Sequence, residues 1–447
     1  NTNLRFKSVN WEVHSGKGHD HKNIYKLLKK AQVSKVPCLL NFKTTIGFGS
    51  PNKSAKASSH GSPLGSEEVK LTRSKLSWNE KPFQIPDKLL KIWRNSSTKN
   101  LQIYKKTKSI SHTTLSNKDI DKLFNKIEID LKDFKSDQAT RKSSEAILHY
   151  FKKDHPILGG SADLTGSNNT KGKEMSVMDS MNTTGQYIHY GVREHGMAAI
   201  MNGIAATKIY KTYSGTFLSF ADYMKPSLRL AALMKINPIQ VFTHDSIGLG
   251  EDGPTHQPIE QINMLRLIPN SYVFRPCDLK ETIVCWREAL KINDAPSFIC
   301  LSRQNLPQIS NKKLDSKKFK GAYVIYGPKI NNDITIIATG SEVSLAVNVA
   351  VRIRGDGIIA KVISMPSTSV FEKQSKTFKN NLLKSNSSET FIIEAGSTMY
   401  WNKYTKYENI FGLDNFGASA PGNEVFRKFG LTTETVSSKI TRKIRTK

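Results

Sequence analysis

Short apolar segments, each followed by a polar or glycine-rich turn and often by a helical pattern, recur through most of this chain. They lie at residues 157–164, 187–190, 213–220, 239–242, 272–277 and 297–303, and again at 334–338, 359–365 and 389–395. Buried strands that alternate with helices are typical of parallel sheets covered by helices on both faces. The sequence therefore predicts an α/β fold with parallel sheets flanked by helices.

The length of 447 residues favours two or three domains over one core. Residues 1–45 have the pattern of a strand, a helix capped by Asp20, and a second strand, which is one βαβ unit and too little to form a sheet alone. Residues 94–138 are rich in Lys, Asn and Ser and predict a linker with a helix near 117–135. We thus expect domains at 1–93, 139–310 and 321–447.

The net charge of +29, from 67 basic and 38 acidic residues, has two interpretations. It could attract nucleic acid or phosphorylated metabolites. It could also reflect a Lys- and Asn-rich composition spread over surface and linkers. No basic helix with interleaved aromatic residues stands out, so the compositional interpretation is favoured and we expect no nucleic-acid partner.

The sequence shows neither a membrane-spanning segment nor an export signal. No run of about 18 apolar residues occurs, and the first residues lack the apolar centre of a signal peptide, so we expect neither a membrane partner nor export. Four scattered cysteines without a CxxC pair favour a reducing cytoplasm over a disulfide framework.

Residues 237–257 are the densest candidate site. An apolar strand runs into a loop with two histidines, His244 and His256, three carboxylates and three glycines. Loops at the carboxyl ends of parallel strands are where α/β proteins collect ligands, and glycines let a backbone approach a ligand closely. A second loop, residues 46–65, is long, Gly/Ser-rich and carries His60; a loop of this kind is either functional or disordered.

Polar side chains from several predicted loops complete the candidate site: Arg141, Asp163, Ser167, Glu194, His244, Asp252, His256 and Arg303. Arginines and a serine suit a phosphate, whereas histidines with Asp252 suit hydroxyl recognition and proton transfer. Taken alone, Glu194 in a first helical turn could simply compensate the helix dipole, and the stripe of Phe217, Phe220 and Tyr223 could be core. The chemistry predicts an enzyme for a phosphorylated polar metabolite.

Eight motifs, in order along the chain, resemble those of the transketolase family. They occupy residues 47–53, 59–65, 158–164, 188–197, 243–258, 301–306, 338–343 and 364–367, and the run Thr-His-Asp-Ser-Ile-Gly-Leu-Gly-Glu-Asp-Gly-Pro-Thr-His-Gln-Pro is highly specific. The resemblance implies a thiamine-diphosphate-binding fold with a C-terminal α/β domain, and reversible transfer of a two-carbon ketol group from a ketose phosphate, such as xylulose 5-phosphate, to an aldose phosphate.

The resemblance also implies residue roles. Catalytic roles would fall to Glu194, His256 and His60. The cofactor would contact Asp163, Leu164, Glu194, Phe217, Phe220, Tyr223 and His60. The substrate would contact His60, Arg141, Ser167, His244, Asp252, His256 and Arg303. The family implies Mg²⁺ and a homodimer as well.

One departure from the family pattern concerns the diphosphate. No Gly-Asp-Gly motif for metal and diphosphate precedes the linker, and the one at 355–357 has the setting of a turn. Ala57 also stands where another histidine is expected. We therefore expect residues 1–93 to be the remnant of a pyrophosphate-binding domain, assign no metal ligand in this chain, and expect the chain alone to be inactive. The rival hypotheses are a dihydroxyacetone synthase-like or deoxyxylulose-phosphate synthase-like enzyme, and the non-catalytic product of a decayed gene.

Overall fold

A computed structural model describes residues 1–108, 115–310, 314–383 and 389–446. The chain divides into two compact units, Asn1–Ser111 and His112–Lys447. Each unit has its own sheet or sheets, and each is described separately below.

The described part of the first unit contains one two-stranded parallel sheet and four α-helices. Its elements are α1 (Thr2–Ser8), β1 (Glu12–Lys17), α2 (His21–Gln32), β2 (Cys38–Lys43), α3 (Ser66–Lys75) and α4 (Asp87–Lys108). The predicted βαβ unit is confirmed: β1 and β2 are parallel, and the Asp20 side chain caps α2 by accepting a hydrogen bond from the backbone N–H of Asn23.

The Gly/Ser loop of the first unit is held by one carboxylate. Glu68, in the first turn of α3, accepts hydrogen bonds from the Ser50 hydroxyl and from the backbone and side-chain amides of Asn52. These hydrogen bonds lower the pKa of Glu68 to about 2. The loop is therefore organised by its own contacts.

The second unit begins with a six-stranded, fully parallel sheet in the order β4-β3-β5-β6-β8-β7. Its strands are β3 (Ile157–Ser161), β4 (Tyr187–His189), β5 (Lys211–Phe217), β6 (Pro238–Thr243), β7 (Tyr272–Phe274) and β8 (Ser297–Leu301). Its helices are α5 (Asn117–Asp130), α6 (Thr140–Leu148), α7 (Thr165–Asn168), α8 (Glu194–Ala206), α9 (Ala221–Met234), α10 (Gln261–Arg266) and α11 (Leu279–Lys291). All six predicted strands of this region are confirmed.

Two hydrophobic cores cover this sheet. One joins α5, α6 and α11 to the sheet around the fully buried Trp286, whose indole N–H donates to the Ser144 hydroxyl at 2.9 Å. The other joins α8, α9 and α10 around Met197, Leu228 and Phe242. Burial of both faces explains why the strands are continuous apolar runs.

The rest of the second unit is a five-stranded mixed sheet in the order β13-β12-β10-β11-β9. Its strands are β9 (Tyr323–Tyr326), β10 (Ile334–Ala338), β11 (Ala360–Ser364), β12 (Thr390–Ile393) and β13 (Ile410–Phe411). Its helices are α12 (Glu342–Arg354), α13 (Thr368–Glu372), α14 (Lys376–Leu383), α15 (Gly422–Lys428) and α16 (Thr433–Arg445). The edge strand β9 is antiparallel to β11, so this sheet is mixed, whereas the sequence predicted parallel sheets.

The region predicted as a linker is largely helical where the structure describes it. Residues 94–108 continue α4, because Lys, Leu, Gln and Ile favour helix even without a strong apolar stripe. The helix predicted near 117–135 is α5, and its residues Ile120, Phe124 and Ile127 are fully buried in the core with α11. The tight turn predicted at 355–357 is confirmed after α12.

Candidate functional site

The predicted site residues of the second unit lie mostly on loops at one edge of the six-stranded sheet. Because all six strands are parallel, their carboxyl ends meet there. Asp163 follows β3, Glu194 follows β4, Phe217 ends β5, His244 follows β6 and Arg303 follows β8. Arg141 reaches the same edge from the start of α6. Its backbone N–H donates to the carbonyl of Ser302, just after β8.

Two arginines, Arg141 and Arg303, lie close enough to repel each other at one side of this edge. Arg141 is half-buried and donates one hydrogen bond to the backbone carbonyl of Ser167. Its buried Nε has no hydrogen-bond partner among the described residues. Burial and the positive charge of Arg303 lower the pKa of Arg141. A buried, unbonded guanidinium nitrogen beside a second guanidinium fits a doubly charged oxyanion.

His244 lies beside these arginines and is held in one orientation. The residue is 3% exposed and its backbone is left-handed, with φ of 60°. Its ring stacks on Phe217 with centroids 3.7 Å apart and planes 29° apart. Burial, together with the charges of Arg141 and Arg303, lowers the pKa of His244 to about 3. The imidazole is therefore neutral near pH 7 in the absence of an anion.

The aromatic stripe continues from His244 to an exposed ring. Phe217 stacks on Phe220 at 5.6 Å with planes 17° apart, and Phe220 lies 6.0 Å from Tyr223 and 5.5 Å from His256. Phe217 is buried, whereas Tyr223 is 65% exposed. A stripe that begins in the core and ends in solvent offers ring faces to a planar ligand, which a purely core stripe does not.

Glu194 is a nearly buried carboxylate that lacks a partner. It is the first residue of α8, with 9% of its surface exposed, and its carboxylate makes no hydrogen bond or ion pair within the described parts of the chain. The helix N-terminus favours its negative charge. A dipole-compensating residue is usually more solvated, so the burial suits a carboxylate that receives a ligand hydrogen bond.

The loop after β6 carries the remaining residues of the central stretch. His256 is half-buried and its Nδ1 lies 2.8 Å from the hydroxyl of Thr255, and Asp252 is exposed. Gln257 ties the loop together, with its amide nitrogen 3.0 Å from the carbonyl of Gly250 and its amide oxygen accepting the backbone N–H of Ala418 at 2.9 Å.

Gly248 in this loop allows close packing by protein groups, and the predicted approach of a ligand to the loop glycines stays a prediction. A Cβ on Gly248 would lie 2.3 Å from the amide nitrogen of Gln304. A Cβ on Gly422, at the start of α15, would lie 2.7 Å from the carbonyl oxygen of Gly248. The close approaches observed at Gly248 are therefore made by Gln304, just after β8, and by Gly422 of the C-terminal region.

Two further predicted site residues follow β3, and one belongs to the first unit. Asp163 is exposed with φ of 62°, and Leu164 is half-buried at the start of α7. His60 belongs to the first unit, where it is exposed just after the short 3₁₀ helix Ala57–Ser59. The structure brings together Arg141, Ser167, His244 and Arg303, and joins His244 through rings to Phe217, Phe220 and His256.

Sequence reasoning missed the residues that support His244. Thr243 and Asn168 form buried hydrogen bonds behind its ring, and Arg275 binds the next residue, Asp245, at 2.8 Å. A buried polar run directly after an apolar strand is the signal that points to such support, since buried polar groups need partners.

Neither a metal cluster nor a membrane helix is found in the described part of the chain. No group of three or more His, Cys, Asp or Glu side chains there is placed to hold a metal ion. No helix there is long and apolar enough to cross a membrane.

The fold and the aromatic, carboxylate and arginine groups define a cofactor-dependent α/β enzyme domain, and comparison with known proteins identifies its class. Residues 136–308 match the family model for the transketolase pyrimidine-binding domain. Residues 1–123 match the transketolase thiamine diphosphate binding domain, and residues 321–432 match the transketolase-like C-terminal domain.

Individual relatives agree with these models. A transketolase of Buchnera aphidicola subsp. Schizaphis graminum is 41% identical over 464 residues, which cover 98% of this chain and 69% of the relative. The transketolase structure from Campylobacter jejuni has a TM-score of 0.85 at 38% identity and covers 100% of this chain and 69% of its own. Transketolase structures from Pichia stipitis with xylulose 5-phosphate or sedoheptulose 7-phosphate have a TM-score of 0.85 at 36% identity. The match covers 98% of this chain and 68% of each of those chains.

The chain belongs to the transketolase family, whose members are transferases. It spans about 69% of the length of the curated relative above. The predicted thiamine-diphosphate-binding α/β fold is confirmed. The expectation that the chain is an inactive fragment stays a prediction, as do the individual residue roles.

Proposed function

We propose that this protein uses thiamine diphosphate and Mg²⁺ to transfer a two-carbon ketol group between sugar phosphates in the cytoplasm. The observation that carries the proposal is the arrangement of Arg141 and Arg303 beside His244, in which one buried guanidinium nitrogen has no partner among the described residues. Membership of the family supplies the cofactor and the reaction class. The cysteines, which are all unpaired, suit a reducing compartment.

The phosphate of the sugar binds at the two arginines. Their charges raise each other's electrostatic energy, and a phosphate dianion removes this repulsion while accepting bidentate hydrogen bonds. Ser167 and His244 complete this end of the site. Since the arginines are fixed to α6 and β8, they set the distance between the phosphate and the reacting end of the sugar.

Phe217, Phe220 and Tyr223 would hold the cofactor ring, with Asp163 and Leu164 beside it. Bound thiamine diphosphate supplies the nucleophilic carbon and the electron sink that ketol transfer needs. Glu194 accepts a hydrogen bond from a ring nitrogen of the aminopyrimidine and holds the proton there. The unpartnered state of its carboxylate supports this role, because a buried carboxylate gains most from a donor that only the ligand brings.

The remaining polar residues serve the sugar chain. Asp252 recognises a hydroxyl group, and His256 and His60 assist proton transfer at the reacting end. His256 lies at 6.1 Å from Phe217, ring centroid to ring centroid, so the proton-transfer group borders the cofactor wall.

A homodimer is part of the proposal. Helices α8 and α9 pack on each other and expose Ile200, Leu230, Leu233 and Met234, with exposed fractions of 47% or more. Large exposed apolar side chains on adjacent helices are typical of an interface between subunits. Ile200 lies on α8, the helix that begins at Glu194, so the proposed interface and the cofactor edge share one helix.

Titration calorimetry tests the phosphate site without turnover. Xylulose 5-phosphate is titrated into residues 1–447 in the absence of thiamine diphosphate. We expect Arg141→Met and Arg303→Met each to weaken binding about tenfold to hundredfold, because each removes charged hydrogen bonds. Arg354→Met, at an exposed arginine at the end of α12, is the matched control. Unchanged affinity in both site variants would refute the phosphate assignment.

A ketol-transfer assay with thiamine diphosphate and Mg²⁺ tests the reaction. In the intact enzyme, we expect Glu194→Gln to lower transfer by at least about a hundredfold while leaving the unfolding midpoint unchanged. Near-normal transfer would return Glu194 to a helix-stabilising role. Turnover by residues 1–447 would also remove the expectation that the chain is an inactive fragment, and transfer that survives Arg303→Met would favour a ketol transferase with an unphosphorylated acceptor.

A further inference from the structure

A continuous chain of buried hydrogen bonds runs behind the His244 ring. The Ser161 hydroxyl donates to the carbonyl of Gly215 at 3.1 Å and receives the Asn168 side-chain amide at 3.3 Å. The Thr243 hydroxyl donates to the side-chain amide oxygen of Asn168 at 2.7 Å and lies 2.8 Å from His244 Nδ1. Ser161, Asn168, Thr243 and His244 are at most 3% exposed, and Gly215 lies on the central strand β5.

The direction of this chain follows from counting hydrogens. The Gly215 carbonyl can only accept, so Ser161 uses its hydroxyl hydrogen there and must accept from Asn168. The amide of Asn168 therefore turns its oxygen to Thr243, whose single hydroxyl hydrogen is used in turn. The hydrogen between Thr243 and His244 must then come from the imidazole.

We infer that Asn168 and Thr243 hold His244 in the tautomer with its hydrogen on Nδ1, so that Nε2 accepts a hydrogen and phosphate binding takes up a proton. The inference rests on the phosphate site proposed above. Nε2 has no hydrogen-bond partner among the described residues. A lone pair on Nε2 repels a phosphate dianion, so one proton must enter between the nitrogen and a phosphate oxygen, whichever of the two holds it.

The surroundings of His244 suit this proton uptake. Arg141 on α6, Arg303 after β8 and His256 on the following loop are the charged or titratable groups that act on it. The adjacent Asp245 is already bound by Arg275 and offers no counter-charge. Before phosphate binds, the arginines disfavour an imidazolium; once their charges are balanced by a dianion, that repulsion ends and protonation becomes favourable.

The tautomer is measured directly in the ligand-free chain. Residues 1–447 are labelled with ¹⁵N-histidine, and the His244 signals are assigned by comparison with His244→Gln. At pH 7.5 we expect protonated Nδ1 and unprotonated Nε2. Protonated Nε2 would mean that the Asn168 amide has the opposite orientation and the chain runs in reverse, which overturns the inference.

Three variants of threonine separate positioning from packing. Thr243→Val keeps the shape but removes the hydroxyl, and we expect the preference for Nδ1–H to be lost. Thr243→Ser restores the hydroxyl and should restore the tautomer. Thr216→Val, on the neighbouring strand β5, is the matched control: its buried hydroxyl has no partner among the described residues, so the His244 signals should not move. A His244 tautomer unchanged in Thr243→Val would refute the role of Thr243.

Proton uptake is measured by titrating xylulose 5-phosphate, without cofactor, in two buffers of different ionisation enthalpy. At pH 8 we expect about one proton taken up per bound phosphate, falling towards zero near pH 5, where the phosphate brings its own proton since its second pKa is about 6. Thr243→Val should abolish the uptake at pH 8. Binding at pH 8 without proton uptake would overturn the inference. Absence of binding would count against the proposed phosphate site, and the ligand-free tautomer would then decide the inference by itself.

Discussion

Arg275 is the residue whose removal should most disturb the second unit. It is 1% exposed and joins the loop after β6 to the C-terminal sheet. Its Nε donates to Asp245 at 2.8 Å, and one terminal nitrogen donates to Glu342 and, at 3.0 Å, to the carbonyl of Thr339. Although burial disfavours the charge, the carboxylates of Glu342, Asp245 and Glu394 raise the pKa of Arg275. We consider Arg275→Met, which keeps volume and removes charge.

The expected cost follows from what the variant leaves behind. Asp245 and Glu342 have at most 1% of their side chains exposed and would lose their cationic partner. Removing one partner of a buried ion pair costs about 3–5 kcal/mol, because the remaining charge is buried without compensation. A whole domain is stabilised by about 5–15 kcal/mol, so this variant should lose a large part of its stability.

Urea unfolding followed by tryptophan fluorescence measures the loss. Trp401 is a local reporter, since its indole N–H donates to Glu394 at 2.9 Å and Arg266 lies 4.9 Å from its ring. The orphaned carboxylates should have folded-state pKa values above their unfolded values, so they favour the folded state as pH falls. The loss should therefore be at least about 1 kcal/mol smaller at pH 5 than at pH 8.

Two controls make this prediction specific. Arg354→Met removes an exposed arginine at the end of α12 and should change the free energy of unfolding by less than about 0.5 kcal/mol. Arg275→Met combined with Glu342→Gln removes one orphaned charge and should recover part of the loss. A loss below about 1 kcal/mol that does not depend on pH would refute the charge argument.

Two further predictions concern burial and close packing. Burial raises the pKa of Glu281 to about 7, and its carboxylate accepts hydrogen bonds from Tyr323 and Ser364. Because the folded state keeps this proton while the unfolded state loses it, the free energy of unfolding should fall as pH rises from about 4.5 to 7. Glu281→Gln should reduce that fall by up to about 3 kcal/mol, measured by urea titrations at pH 5 and 8. An unchanged dependence of stability on pH would contradict the assignment. Gly422→Ala would place a Cβ 2.7 Å from the backbone oxygen of Gly248, which cannot rotate away, so it should cost about 1–3 kcal/mol in thermal unfolding. Gly355→Ala, at a helical φ of −63°, should cost less than about 0.5 kcal/mol, and equal losses in the two variants would refute the packing argument.

Local sequence patterns predicted the strands and the edge at which the site forms. Apolar runs such as 239–242 are buried on both faces, so their pattern is continuous and easy to recognise. The Asp20 cap and the turn at 355–357 are likewise set by neighbours within a few residues. The antiparallel strand β9 was not predicted, because the direction of pairing depends on a partner 36 residues away, Val362 opposite Tyr326.

The helical part of the predicted linker shows a different limit. Residues 94–108 lack a strong apolar stripe, so periodicity alone did not reveal that they continue α4. In α5 the stripe is present, and Phe124 is fully buried against α11, yet α11 lies more than 150 residues further along the chain. Composition marks such segments as polar, whereas tertiary packing decides that they are ordered.

Within the candidate site, the residues that hold the predicted site side chains in place were not predicted. The turn after β10, at residues 338–341, shows why. A Cβ on its Gly340 would lie 2.8 Å from the side chain of Arg275. The partner of this turn is an arginine from the end of β7, a contact that no spacing in the sequence encodes.

The position of the C-terminal sheet gives it a part in the site although it carries none of the predicted site residues. Glu342 fixes Arg275, Arg275 fixes Asp245, and Asp245 follows the left-handed His244 directly. Glu394 adds to the same cluster: although burial favours its neutral acid, Arg266 and Arg275 lower the pKa of Glu394 to about 2. A charged cluster of this kind is weak support for stability compared with apolar packing, but it fixes one geometry. We therefore expect substitutions at Glu342 to change sugar-phosphate affinity through His244, even though this carboxylate contacts no predicted ligand.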